Sequence, residues 1–390
     1  MYDVIVVGAR CAGAPTAMLF ARAGYRVLLL ERARFPLDTL STLYIHQPGI
    51  ALLDRWGILP KVVATGCPPI TSAVHQVGEV RIEGCAAPVD GISAAYAPRR
   101  FLLDALLTDA AVAAGAEFRE GCGVTDIVVE DGRVVGVRCG TSRTMERARL
   151  VVGADGMRST VAGLVDAPTV LEHPTMTCVY YSFWEGVPAG FEAYGAANRW
   201  VGCAPTNDRL TLVGSYFPQA EFAQVKARAI YAYLESIAST APELHERLRD
   251  GRQVDRIYGT GAQLNFFRQP TGKGWVLVGD AAHHKDSISA DGIADAFRQA
   301  QLLADCVGED LQDEPALDVA LERYGHAQSE LLMPRFRTTM NIARLRADRR
   351  LGALSAIAAD PVQTERFFSA LAGLDRGRGL AEHSEKEPVR

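Results

Sequence analysis

The chain has 390 residues, 48% of them apolar and 22% charged, with a formal net charge of −5. That is two or three domains' worth of chain with apolar residues enough for a large core, and its slight acidity gives no footing for nucleic-acid binding. No run approaches the roughly 18 apolar residues of a membrane span, and no basic leader precedes the first strand at Asp3, so a cytoplasmic protein is expected. The eight cysteines, at 11, 67, 85, 122, 139, 178, 203 and 306, include no C-x-x-C pair, have no zinc-like spacing and lack the density of a disulfide scaffold. Most are expected to be small buried residues in a reduced compartment.

Residues 3–7 form a continuous apolar run, as in a strand covered on both faces of a parallel sheet. Gly8 turns the chain into a helix reaching about Ala23, with Pro15 in its first turn, where a missing N–H costs little. Backbone amides and the positive end of that helix would face a pyrophosphate. Gly24 stops the helix, and Tyr25 to Leu30 make a strand ending at Glu31, an acid placed to accept from a ribose hydroxyl. The segment Gly8-Ala9-Arg10-Cys11-Ala12-Gly13 departs from G-x-G-x-x-G at Arg10. That side chain either tolerates a longer approach of backbone to phosphate, adds its guanidinium to one, or points to solvent. Cys11 lies in the turn, where a helix start could lower its pKa.

Farther along, Arg100 to about Ala114 reads as a helix and Val124 to Arg138 as a hairpin about Asp131-Gly132. Two β-rich insertions follow from alternation, at about 73–96 and 171–267, the second interrupted by a helical stretch from Ala220 to about Arg249. From Gly292 to about Val307 the positions Ile293, Phe297, Ala300, Leu303 and Ala304 keep helical spacing, with Asp291 or Ser289 as N-cap. Residues 308–370 are mainly helical, Pro334 threatens a kink, and residues 379–390 read as a polar tail. There is no internal repeat. The fold class expected is α/β, a Rossmann-like dinucleotide-binding domain (1–72, 97–170 and 268–330) with an interleaved antiparallel β-sheet substrate domain (73–96 and 171–267) and C-terminal helices (331–378).

Two further segments turn a generic nucleotide reading into a flavin one. Gly153-Ala154-Asp155-Gly156-Met157-Arg158-Ser159 and Gly279-Asp280-Ala281-Ala282-His283, in that order after the glycine turn, resemble the Asp-Gly and Gly-Asp motifs of the flavoprotein monooxygenase superfamily. That group comprises the class A aromatic hydroxylases typified by p-hydroxybenzoate hydroxylase, with geranylgeranyl reductases and flavin-dependent halogenases in the wider clan. The resemblance covers residues 1 to about 330. It implies FAD as cofactor, held by Gly8, Arg10, Gly13, Glu31 and Arg32 near the glycine turn. Asp155 would organise the dinucleotide end and Asp280 bind the ribityl chain. The family's arginine near the flavin best matches Arg100, with Arg99 as alternative, and Val124, Gly292 and Ile293 complete the cofactor set. The helix starting at Gly292 would begin beside the isoalloxazine and stabilise charge on its reduced form by roughly 0.3–2 kcal/mol.

The match fades after Asp280. Typical hydroxylases carry a proline, two glycines and an asparagine before a helical aspartate. Here those places hold Ser287, Ala290, Gly292, Ala294 and Gln299, and the stretch contains His284-Lys285-Asp286. The resemblance implies that NAD(P)H reduces the flavin, O2 adds to its C4a carbon, and one oxygen passes to an electron-rich substrate. Only one dinucleotide site is present, so NAD(P)H would bind transiently as co-substrate. Arg32 after Glu31 would suit a 2′-phosphate only if this were an NADP site. His46, His284 and Lys285 are the candidates for proton chemistry, against the alternative of solvated loop residues; His283 is expected to pack structurally. His75, His173, His245, His326 and His383 lack a metal-ligand pattern, and no metal site is expected. Tyr180, Tyr181, Phe183, Trp184, Tyr194, Trp200, Tyr216 and Phe217 crowd the second insertion, where they either pack a sheet or wall a site for a flat aromatic small molecule. The expected activity is hydroxylation or epoxidation of an aromatic or polyketide-like compound. A reductase of the geranylgeranyl type is the alternative, a non-catalytic flavin-binding protein a third. A halogenase is disfavoured, because its W-x-W-x-I-P signature would need tryptophans at Phe183 and Glu185.

Overall fold

The computed structural model describes residues 1–374; the expected polar tail and the last residues of the segment 331–378 lie outside them. The chain weaves between two large sheets. It opens with β1 (Tyr2–Val7), α1 (Gly13–Arg22) and β2 (Val27–Leu30). Val4 and Val6 point into one apolar cluster while Ile5 and Val7 point into another, the period-two consequence of a strand buried on both faces. Then come α2 (Gln47–Arg55), α3 (Leu59–Ala64) and the hairpin β3 (Ala73–Val77) and β4 (Val80–Gly84), which belongs to the second sheet. The chain returns through α4 (Arg100–Ala113), β5 (Glu117–Arg119), β6 (Val124–Glu130), β7 (Arg133–Cys139) and β8 (Thr144–Gly153). The β6–β7 turn takes positive φ at Asp131 and Gly132, as the Asp-Gly pair predicts.

Past α5 (Thr160–Leu164) and β9 (Thr169–His173), the second sheet is completed by β10 (Thr177–Glu185), β11 (Phe191–Ala196), β12 (Arg199–Pro205) and β13 (Leu210–Pro218). The helical interruption is three helices, α6 (Phe222–Ala227), α7 (Ala229–Thr240) and α8 (Pro242–Asp250), broken at Arg228 and Ala241, which leave helical φ. Short edge strands β14 (Arg252–Gln253) and β15 (Tyr258–Thr260) precede β16 (Asn265–Arg268), β17 (Thr271–Gly272), β18 (Trp275–Leu277) and β19 (His283–His284). The chain then runs through α9 (Gly292–Val307), α10 (Glu314–Ile342), α11 (Leu351–Ala358) and α12 (Pro361–Leu371). Pro334 sits inside α10 without ending it.

The first sheet has the order β17-β18-β8-β1-β2-β5, with the β6–β7 hairpin attached to β8. The strands from β18 to β5 are parallel, and Gly153 is in register with both Val7 and Leu277. The glycine turn, the Asp-Gly segment and the Gly-Asp segment therefore leave the same end of three adjacent strands. The carboxyl ends of such strands are where open α/β sheets bind ligands.

The second sheet has the order β14-β10-β13-β12-β11-β3-β4. It was expected to be antiparallel, but β11 pairs with β3 in parallel, because β3 arrives from the first half of the chain. Alternate residues of β10 and β13 serve different faces. Cys178, Tyr180, Trp184, Val213 and Phe217 pack under α7 and α8, whereas Tyr181, Phe183 and Leu212 face Tyr44 and Ala290. A small third sheet, β19-β16-β9, was not anticipated from the sequence. Among the described residues no helix is long and apolar enough to cross a membrane.

Candidate active site

The glycine turn is closed by its own packing. A Cβ on Gly8, at φ +99°, would meet the Ala154 carbonyl at 2.4 Å, and one on Gly13 would meet the Gly8 carbonyl at 1.7 Å. Both glycines are thus required before any ligand is considered. No side chain caps α1, and the amides of Cys11, Ala12 and Gly13 meet no acceptor among the described residues, leaving the donors a phosphate would use. Glu31 is buried, its carboxylate accepting from Ala9 N and Ala33 N, each at 2.9 Å. Each oxygen keeps a lone pair for a ribose hydroxyl.

Arg10 pairs with Asp104 at 2.7 Å and lies 5.4 Å over the Phe35 ring. Asp104, buried on α4, also takes both arms of Arg100 at 3.1 Å and the Cys11 thiol at 3.4 Å. Two guanidiniums against one carboxylate leave about one positive charge beside the turn, which suits a dianionic pyrophosphate. Burial pushes the Cys11 thiol up, against the expectation that the helix start would lower it. Arg99 turns away, pairing with Asp38 at 2.7 Å and lying 4.0 Å over Phe183 of the second sheet. Arg32 is exposed beside Gly123, and Val124 is half-buried at the start of β6.

The other two motifs are tied to the first. Asp155 caps α5, accepting from Ser159 Oγ (2.5 Å), Thr160 N (2.6 Å) and Val161 N (3.2 Å). Arg268 donates to the carbonyls of Ala281 (2.8 Å) and Met157 (3.2 Å), linking the Asp-Gly and Gly-Asp segments. Gly279, at φ +65°, packs so closely that a Cβ would lie 2.6 Å from that of Ala12, bringing the third motif against the first. Gln299 holds Gly279 there by accepting from its N–H at 2.9 Å, and takes Gln328 Nε2 at 2.9 Å. Asp280 is half-buried at this junction. The position that departs from the family's aspartate is thus a buried amide bracing the turn.

Asp291 stands at the N-cap position of α9, but neither its side chain nor that of Ser289 bonds an α9 amide. The Asp291 carboxylate is instead bonded to Arg335 of α10, and Lys285, buried, to Asp295, with Asp291 3.7 Å from the Lys285 ammonium. Arg335 also donates to the Ala370 (2.5 Å) and Leu371 (2.7 Å) carbonyls at the end of α12, where a cation meets the negative end of a helix. Burial alone would raise the Asp291 carboxyl; the Arg335 and Lys285 charges outweigh it and hold it well below the usual carboxylate range. His46, N-cap residue of α2, donates from Nε2 to the Ser289 carbonyl at 3.3 Å, with Asp291 at 3.8 Å. Burial depresses it to about 4, against the pull of Asp291. Gly292 itself is exposed with open space where a Cβ would stand, and Ile293 behind it is buried. An uncapped helix start beside open space fits the flavin end of the cofactor, as the free amides of α1 fit its phosphates.

Between α9's start and the second sheet lies a cavity lined by Ser41, Thr42, Tyr44, Val179, Tyr181, Phe191, Trp200, Gly202, Cys203, Ala204, Leu212, Gly214, Tyr216, Ser287, Ile288 and Ala290. Its volume is about 40 Å³, well below the roughly 150 Å³ that accepts a benzene ring. On its wall Tyr44 and Phe191 are stacked on each other at 4.0 Å and 28°. His46, His284 and Lys285 are not among the lining residues. His284 stacks on Phe266 (6.1 Å, 25°) and bonds the Leu264 carbonyl in the small sheet, and His283 is buried against Phe267 and Phe336. The titratable groups on the wall are the Cys203 thiol and phenols, the latter not singled out by sequence spacing from ordinary strand aromatics. Asp104, Arg268 and Arg335 were given no part in the site, and Gln299 and Asp286 were noted only as departures from the family's pattern.

A parallel sheet whose three adjacent strand ends carry these motifs, roofed by a second sheet, defines an FAD-binding oxidoreductase. The chain belongs to the FAD binding domain family, whose model matches residues 1–331. It is similar to a 6-methylpretetramide 4-monooxygenase of Streptomyces rimosus, 32% identical over 314 residues, 76% of this chain and 73% of that protein. It is also similar to a digeranylgeranylglycerophospholipid reductase of Methanopyrus kandleri, 27% identical over 367 residues, 88% of this chain and 89% of the relative. Among solved structures a flavin-dependent brominase shares the fold with a TM-score of 0.80 at 17% identity, over 95% of this chain and 93% of the other. A flavoprotein/dehydrogenase from Cytophaga hutchinsonii does so with a TM-score of 0.79 at 21% identity, over 95% and 92%.

Proposed function

We propose that this protein is a monooxygenase that uses NAD(P)H and O2 to hydroxylate or epoxidise a flat aromatic or polyketide-like molecule. The observation that carries this reading is the cavity itself, an aromatic-walled slot between α9's start and the second sheet. The 32% identity to a monooxygenase named for a pretetramide substrate supports the same class of guest. Bound at the strand ends, FAD supplies hydride acceptance and activation of O2. The chain's own part is to hold it and keep the cavity dry. Amides of residues 11–13 and the Arg10–Arg100–Asp104 cluster would meet the pyrophosphate, Glu31 and Arg32 the ribose side, and Asp280 the ribityl chain. Val124 and Asp155 would frame the adenosine and dinucleotide ends. The amides of Gly292 and Ile293 would face the ring. His46, neutral at pH 7, and Lys285, paired with Asp295, position α9's start rather than carry protons to substrate.

Reduction of a carbon–carbon double bond is the second reading. The cavity wall offers hydroxyls but no imidazole or amine to activate a phenol, and the reductase relatives reach 92% of the chain. One assay separates the two. The FAD-loaded protein is mixed with NADH or NADPH, O2 and a panel of hydroxylated polycycles and isoprenoid alkenes. A product heavier by sixteen mass units is expected; a gain of two hydrogens without oxygen uptake would replace oxygen insertion by reduction.

A further inference from the structure

Behind the cavity wall runs a chain of hydrogen bonds whose direction is decided by the backbone. Gln263 is buried, and its amide is oriented at both ends: Oε1 accepts from Ser287 N at 3.1 Å, and Nε2 approaches the Thr177 carbonyl at 3.3 Å. The same Oε1 lies 2.5 Å from Ser287 Oγ, and an amide oxygen only accepts, so the Ser287 hydroxyl donates to it. Tyr216 OH lies 2.9 Å from that Ser287 Oγ. With the serine proton already committed, the tyrosine must be the donor. On the far side Gln263 Nε2 donates to Thr177 Oγ1 at 2.7 Å, and Thr177 donates to Asp286 at 2.7 Å. Every proton in the series Tyr216–Ser287–Gln263–Thr177–Asp286 points away from the cavity. Because two backbone groups orient Gln263, the polarity from Tyr216 to Thr177 holds whatever the charge on Asp286.

The consequence falls on Tyr216, which lines the cavity with Ser287. Its proton is spent inward, no protein donor among the described residues reaches its oxygen, and the residue is only 2% exposed. The oxygen is a buried acceptor with unused capacity. Burial also keeps the phenol neutral by pushing its pKa up. We propose that Tyr216 is the specificity-determining residue of this cavity, accepting a hydrogen bond from a hydroxyl group on a flat apolar substrate and rejecting the analogue in which that proton is replaced by a methyl group. This rests on the cavity being the substrate site. The sequence could not have singled Tyr216 out, since its meaning comes from Ser287 and Gln263, which lie 71 and 47 positions away.

The test is binding, not turnover. FAD-loaded full-length protein is titrated with 2-naphthol and 2-methoxynaphthalene at pH 7 without NAD(P)H, by calorimetry and by the change in flavin absorbance. Wild type should bind the naphthol roughly tenfold more tightly than the ether, as a buried acceptor left unpaired implies. Tyr216→Phe should bring the two within about threefold while leaving the ether's Kd unchanged. Ser287→Ala frees the tyrosine hydroxyl to donate to the oxygen of either probe and should shrink the preference for the naphthol. Discrimination that survives Tyr216→Phe, undiminished discrimination in Ser287→Ala, or a wild type that binds neither probe or both alike would overturn the proposal. A naphthol that binds selectively but never gains oxygen removes the monooxygenase reading and leaves Tyr216 standing. Oxygen insertion without discrimination does the reverse.

Discussion

His46 offers a quantitative handle on the packing of α9's start. Its imidazole is held neutral, at about 4 against an ordinary 6.5, because burial outweighs the attraction of Asp291 3.8 Å away, and the charges of Arg335 and Arg298 add to the depression. In the unfolded chain the same residue takes up its proton near pH 6.5. The folded form therefore gains stability from His46 above that pH and loses it as pH falls toward 4. The gap corresponds to about 3 kcal/mol below both values and about 2 kcal/mol at pH 5. His46→Gln keeps a donor for the Ser289 carbonyl and removes the titration. Urea denaturation of the FAD-loaded protein, at fixed free FAD, should show wild type losing about 2 kcal/mol more than the variant between pH 8 and pH 5. Equal losses, or a variant that is the more acid-sensitive, would mean that Asp291 and not burial governs the imidazole, and the reasoning fails.

Asp286 should behave with the opposite sign. Burial pushes it up to about 6, so the stability it contributes is present below its ordinary 3.8 and lost as pH rises through 6; Asp286→Asn should stabilise the protein by up to about 3 kcal/mol above pH 7 and have no effect near pH 4, read from the same urea titrations. Gln299→Leu leaves the Gly279 amide and the Gln328 side chain buried without their acceptor and should cost about 2–5 kcal/mol in urea denaturation; a cost below about 1 kcal/mol would contradict the bracing role. Asp280→Ala should purify colourless with a melting temperature close to that of flavin-free wild type; full yellow colour after gel filtration would remove Asp280 from the cofactor set.

Much of the frame was legible because its signals are local. The apolar run 3–7, Gly8, the helix to Arg22 and Glu31 all follow from strand and turn chemistry, and α9 was read to within its observed ends from the spacing of Ile293, Phe297 and Leu303. The errors have a common origin. Asp291 and Ser289 have the chemistry of caps, but Arg335, 44 positions away, offers Asp291 a full charge that a peptide N–H cannot match. Arg10 was weighed between phosphate and solvent, and the Asp104 that α4 also brings to it lies 94 positions away. Breaks at Arg228 and Ala241 were missed because the stretch is uniformly helix-forming apart from Pro242.

From its residues alone, this chain declared an α/β fold with a glycine turn, two acid-bearing motifs and a ribose acid, since each of those needs only neighbours a few positions apart. Which groups face the cavity was decided by tertiary structure. His46, His284 and Lys285 pack outside its wall. Tyr216 becomes a directed acceptor only because strand pairing and the loop after β19 set Ser287 and Gln263 behind it. Hydrogen-bond direction and burial are properties of an assembled interior, and no spacing along the chain encodes them.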